Sequence, residues 1–250
     1  MKAKVLLFFG VMLVPVMLNA QNDYWIQKGY DAPNSKEKIE CFTKSIEKEG
    51  ATVEAYFCRA SAELEIKDFQ SALRDYSKII ELDSTDAGAY YSRGFAEHFF
   101  IQDYKHALSD YTRAFEIDST NAQYVYLMAR LYMEMKDYPH AIICYKKVLK
   151  LNLRNLTFIG ISMVSDSKAV NGFNKLMDLQ TDSINCIIGL ALSYYYTNDP
   201  ENARKYLKQA KELKPVLKQG VKGFEAFKKE GRFYSAKDDK ALKKMFKKLK

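Results

Sequence analysis

Ala72-Leu73-Arg74-Asp75-Tyr76 recurs as Ala107-Leu108-Ser109-Asp110-Tyr111 and again, more loosely, as Ala141-Ile142-Ile143-Cys144-Tyr145. The steps are 35 and 34 residues. The segments that close the first two copies also match, Glu81-Leu82-Asp83-Ser84-Thr85-Asp86 against Glu116-Ile117-Asp118-Ser119-Thr120-Asn121. Twelve or thirteen positions before each leading alanine stands another small residue: Ala60, Gly94 and Ala129. A period in this range signals a solenoid of stacked units.

Each unit reads as two helices. Residues 56–66 carry apolar side chains at helical spacing, Lys67-Asp68 makes a turn, and 69–82 form a second amphipathic helix. Asp83-Ser84-Thr85-Asp86 then offers capping side chains to the next unit. Ala60 and Ala72 let two antiparallel helices approach closely, while Tyr76 and Ile79 fill the space towards the next pair. One hairpin cannot bury its apolar face alone, so the units must stack.

Composition agrees. The chain has 250 residues, 48% of them hydrophobic, which excludes a disordered protein. With 11 Gly and 5 Pro it has too few turn formers for an all-β fold. The 18 Tyr and 15 Phe need a core or a binding surface to house them.

The pattern resembles the tetratricopeptide repeat family. The family's first-helix aromatic or apolar position falls on Tyr56, Tyr90 and Val125, and its small residue on Ala60, Gly94 and Ala129. The second-helix Ala falls on Ala72, Ala107 and Ala141, followed by Tyr76, Tyr111 and Tyr145. The closing Pro is replaced by Ser84, Ser119 and Leu153, and the first-helix Tyr by Glu63 and Glu97, though Tyr132 restores it. A late copy places Ala191 and Ala203 twelve apart and keeps Pro215. The resemblance implies an all-α, right-handed superhelical α-solenoid of stacked helix-turn-helix repeats. Its expected divisions are a degenerate repeat over 21–52, three repeats over 53–155, a shortened degenerate repeat over 156–183 and a further repeat over 184–217.

The resemblance also implies a concave face lined by the first helices. The residues expected there include Phe57, Tyr91, Phe95, His98, Phe99, Tyr126, Arg130 and Tyr195, an aromatic groove with one evident cation. Some members of the family clamp a peptide carboxylate with Lys and Asn on this face. The corresponding places here hold Phe57, Tyr91 and Tyr126, then Ser61, Phe95 and Arg130, so that clamp is missing. The partner expected is another protein or peptide segment offering apolar and aromatic side chains. Core packing is the competing explanation of the same aromatics.

The formal charge of +8 is unevenly spread. Residues 211–250 hold 14 Lys and Arg against 5 Asp and Glu, whereas residues 21–210 are slightly acidic. Residues 240–250 read KALKKMFKKLK, with Leu242, Met245, Phe246 and Leu249 on one helical stripe and lysines opposite. Residues 218–250 are read as basic capping helices. The competing reading is attachment to an anionic membrane surface or cell-wall polymer, with the repeats as spacer. Nucleic acid is not expected as a partner, because no nucleic-acid-binding module is recognisable.

No chemistry is signalled. GxSxG, HExxH and Gly-rich phosphate-loop motifs are missing, and the three histidines share no ligand spacing. The chain is read as a non-enzymatic interaction scaffold with no metal or cofactor. Cys41, Cys58, Cys144 and Cys186 are scattered without a CxxC pair and read best as small buried apolar residues.

Lys2 and Lys4 precede an apolar run from Val5 to Leu18, and Leu18-Asn19-Ala20 offers a small residue to a signal peptidase. A run of 14 residues is short of the roughly 20 that span a bilayer. Residues 1–20 are therefore expected to be a cleaved secretory signal, which places the protein in a bacterial periplasm or at the cell surface. Mass spectrometry of the protein from its native cell should find Gln21 at the amino terminus; a chain still starting at Met1 would refute this.

Overall fold

The computed structural model describes residues 24–49, 51–163, 169–228 and 236–248, so the expected signal segment lies outside the described residues. The chain divides at Asp118/Ser119 into two compact units. The first contains α1 (24–31), α2 (Ser35–Glu49), α3 (Val53–Glu65), α4 (Phe69–Leu82), α5 (Ala87–Ala96) and α6 (Tyr104–Ile117). A π-helical turn, Glu97–Ile101, continues α5. The second contains α7 (Ala122–Glu134), α8 (Tyr138–Met163), α9 (Ala169–Tyr196) and α10 (Pro200–Leu213). A 3₁₀ turn (Pro215–Gln219), α11 (Val221–Lys228) and α12 (Ala236–Lys248) follow. Within each unit successive helices pack in order, and no strand occurs among the described residues. This is the all-α, helix-hairpin repeat architecture that the sequence implied.

The small residues lie where helix meets helix. Ala60, Ala72, Ala107, Ala129, Ala141, Ala191 and Ala203 are fully buried. At Gly94 a Cβ would stand 3.0 Å from Cβ of Asp110 and 3.2 Å from the Ala107 carbonyl, tighter than packed atoms normally sit. Tyr76, Tyr111 and Tyr145 are buried beside them.

The turns inside the hairpins share one construction. Lys67, Gln102, Lys136 and Asn198 adopt left-handed φ of 65°, 62°, 63° and 58°. That conformation costs a non-glycine residue about 1 kcal/mol. Two compensations offset it. The next residue is always Asp (Asp68, Asp103, Asp137, Asp199), whose carboxylate accepts from the backbone of Ser71, His106, His140 and Asn202 respectively. The freed carbonyls are also taken up: the Asp68 amide donates to Glu63 at 2.9 Å, Asp137 to Tyr132 at 2.8 Å and Asp199 to Tyr194 at 2.9 Å. Between hairpins, Asp86 and Asn121 cap α5 and α7, while Asp83 turns inward on Thr85.

Three turns stand seven residues after their small residue, but Gln102 stands eight after Gly94. The extra residue is absorbed by the π turn: the Asp103 amide reaches back six residues to the Glu97 carbonyl instead of five. The 35-residue step in the sequence is this insertion.

In the first unit a guanidinium ties each hairpin to the one before. Arg59 grips Asp75 with two bonds of 2.7 Å and also donates to Thr43 on α2. Arg93 grips Asp110 at 2.7 and 2.8 Å and donates to Ser77 on α4. The sequence reading missed this ladder, whose two rungs recur at the repeat period, Arg59 to Arg93 by 34 residues and Asp75 to Asp110 by 35. In the third repeat Met128 and Cys144 occupy the corresponding positions.

In the second unit, residues 156–163 belong to α8 and 169–183 to α9, while 164–168 and most side chains of this stretch lie outside the described residues. Leu242, Met245 and Phe246 on α12 are buried with Leu207, Leu217 and Phe224, the Phe224 and Phe246 rings stacked 5.6 Å apart. Lys243 bonds Glu225 at 2.6 Å, fixing α12 beside α11.

Losing one partner of a half-buried ion pair costs far more than replacing both. Arg59→Met should lower unfolding free energy by about 3 kcal/mol. Adding Asp75→Cys, which copies the third repeat, should restore most of it. Equal damage in single and double variants, by chemical denaturation, would contradict this assignment.

Candidate functional site

The densest accessible aromatic cluster among the described residues lies in the first unit, around the π turn. Tyr91 and Phe95 on α5 have ring centroids 6.2 Å apart, and Phe95 meets Phe99 at 4.5 Å and Phe100 at 6.1 Å. Phe100 stacks on Phe69 at 4.7 Å with the rings nearly parallel. Phe57 packs edge-on against Tyr76 at 5.7 Å. Phe57 and Phe100 are 39% and 41% exposed, while Tyr91, Phe95, Phe99 and Phe69 are partly exposed. The one-residue insertion accounts for this grouping. It adds a residue before the turn, so that three phenylalanines (95, 99 and 100) crowd one end of α5.

His98, read from sequence as a groove residue, is 1% exposed. It stacks on Phe99 at 4.1 Å and shares a 3.3 Å hydrogen bond with the Tyr111 hydroxyl, so it supports the cluster from below. Phe69 and Phe100 were absent from the sequence reading. Phe69 begins a second helix and Phe100 follows the insertion, so a register counted from Gly94 passes over both.

The remaining expected residues belong to the second unit. Tyr126 approaches Tyr145 at 6.2 Å, and Arg130 lies 3.9 Å from Glu134, one turn along the same helix. Tyr195 packs edge-on to Tyr196, which stacks on Tyr138 and donates its hydroxyl to Asp238 at 3.1 Å. Each of the three is partly exposed.

Beside the aromatic cluster sit two buried carboxyls. Glu63 and Glu97 are 7% and 9% exposed, and each has Oε2 buried without a hydrogen bond. Burial pushes Glu63 up to about 7, helped by the Asp75 carboxylate and opposed by Arg59. Glu97 is pushed up to about 7 in the same way, by burial and Asp110 against Arg93. One guanidinium faces two carboxyls at each place, and its Nε and Nη2 donors both go to the Asp. Asp68 and Asp103 add to the repulsion, while Arg74 and His106 oppose it.

No His, Cys, Asp and Glu group that could hold a metal occurs among the described residues, and no described helix is long and apolar enough to cross a membrane. The four cysteines are unbridged; burial pushes the Cys144 thiol up to about 11.

Residues 122–155 and 185–216 match the family model of the tetratricopeptide repeat, so the chain carries such repeats. Both matched segments have tyrosine three positions after their small residue, Tyr132 and Tyr194; at that place the first unit has Glu63 and Glu97. Among solved structures the chain is similar to a MamA protein, with TM-score 0.61 and 19% identity over 79% of this chain and 94% of that one. A second MamA crystal structure gives TM-score 0.56 and 22% identity over 72% and 88%. MamA 41-end from Desulfovibrio magneticus RS-1 gives 0.58 and 16% over 78% and 94%. At these identities the likeness is one of fold. No curated protein matches the sequence.

The raised carboxyls link stability to pH. A carboxyl held above its ordinary value favours the folded state while protonated, and that advantage is lost as pH rises through about 7. Glu63→Gln with Glu97→Gln should therefore melt like the parent at pH 5 and several degrees higher at pH 8, a gain of roughly 1–2 kcal/mol per site. A melting curve that shifts equally at both pH values would rule out this cause.

Proposed function

We propose that this chain, a carrier of tetratricopeptide repeats, is an exported, non-enzymatic scaffold that holds a segment of another protein on the aromatic surface of its first unit. One observation carries the reading: Phe69, Phe95, Phe99 and Phe100 form a partly exposed apolar surface, in the unit where Phe57 is exposed as well. Exposed apolar patches of this kind mark interaction sites. Rigid aromatic side chains contribute contact area at little entropic cost, which is why they dominate binding hot spots.

The chemistry of the surface selects its ligand. The rings offer faces and edges, and beneath them His98 Nδ1 shares its hydrogen bond with the Tyr111 hydroxyl inside the unit. A segment presenting apolar or aromatic side chains at helical spacing fits best. Tyr126, Arg130 and Tyr195 offer a separate surface on the second unit, where Arg130 adds a cation.

The test is selection from a displayed random-peptide library. The parent protein should enrich peptides with apolar residues spaced three or four apart. Phe95→Ala with Phe100→Ser should retain them at least 10-fold less well, each lost anchor being worth 1 kcal/mol or more. Peptides held equally by the variant, with its helical circular dichroism intact, would exclude this surface.

A further inference from the structure

The last described helix of the second unit turns its large apolar side chains inward and three of its lysines outward. On α12, Leu242, Met245 and Phe246 are at most 3% exposed, whereas Lys240, Lys244 and Lys247 are exposed on the opposite side. At 1.5 Å per residue these lysines form a stripe about 10 Å long. Lys218 and Lys222 are also exposed, on the 3₁₀ turn and on α11, and the Lys243–Glu225 bond holds α11 beside α12. Covering the repeats explains the apolar stripe but not the charge opposite it. The acidic residues of α12, Asp238 and Asp239, stand in its first turn, where Asp239 pairs with Lys243, so Lys244 and Lys247 extend the stripe beyond the helix's mixed-charge end.

We infer that this lysine face is a second docking surface, one that rests electrostatically on the anionic headgroups of a membrane without inserting into it. Two observations select this occupant. First, the apolar stripe that an interfacial helix would sink into the bilayer is already packed against Leu217 and Phe224, so only charge is left to bind. Second, 13 of the 14 basic residues in 211–250 are lysine. Lysine is a mobile point charge suited to a diffuse plane of headgroups, whereas recognition of individual carboxylates in an acidic protein favours the bidentate fork of arginine. The inference is independent of the aromatic surface.

Flotation of the full-length protein with phosphatidylcholine vesicles sets the charge-independent background. Replacing 30% of the lipid with phosphatidylglycerol at 0.1 M salt should raise binding above it. That increment should vanish at 0.5 M salt, where the screening length falls to a few ångströms. Lys240→Gln, Lys244→Gln and Lys247→Gln together should cut it about 100-fold, at roughly tenfold or less per lysine near such a surface. A charge-reversed Lys→Glu triple variant should abolish it, with thermal melting unchanged in both variants because the stripe facing the core is untouched. An increment that survives the substitutions or the salt would overturn the inference. So would tighter binding to polyglutamate than to the vesicles at equal charge, which would identify an acidic protein as the occupant.

Discussion

The fold depends on how closely two helices of a hairpin can approach. At Gly94 not even a methyl group fits without displacement, and at Ala60 with Ala72 the methyls are fully buried. This contact sets the distance between backbones, and that distance determines what else each hairpin can hold. Tyr76 and Tyr111 fill the gap beyond the small residues, and the turn must close within seven residues of them. Where the turn comes one residue late, the helix widens into a π turn and keeps the small contact in register. Packing at the small residues is therefore the stronger constraint, and regular helical hydrogen bonding yields to it.

Much of this was legible in the sequence because small residues, capping aspartates and tyrosines recur at fixed steps. The thirteen-residue spacing from Gly94 to Ala107 was visible, but its consequence was not. An insertion can be looped out, shifted into the turn or absorbed in the helix, and only the backbone shows which. The placement of His98 followed from counting an unbroken α-helix; the π turn brings it under the cluster, where it bonds Tyr111. Phe100, beyond the insertion, takes the accessible place.

The ion-pair ladder escaped the sequence reading for a different reason. Arg59 with Asp75, and Arg93 with Asp110, lie 16 and 17 residues apart, and charged residues at such spacing read as solvated helix faces. Their pairing depends on the antiparallel approach that the alanines set. The ladder also explains why glutamate stands where the matched repeats have Tyr132 and Tyr194. An aromatic there stacks on its neighbour, as Tyr194 does on Tyr206 at 5.6 Å. Where a guanidinium lies below, a carboxyl takes that place, and burial, helped by the neighbouring aspartate, pushes it up to about 7.

This division of packing between the units bears on function. In the second unit, aromatic side chains such as Tyr138, Tyr194 and Tyr206 are spent on one another in stacked pairs. In the first, polar groups bind hairpin to hairpin, and partly exposed phenylalanines collect at the end of α5. Apolar surface left exposed costs a protein solubility, so its retention beside the Arg–Asp ladder calls for a reason other than stability. The proposed contact with another protein supplies such a reason, since rings held by their own edge and face contacts lose little entropy when covered.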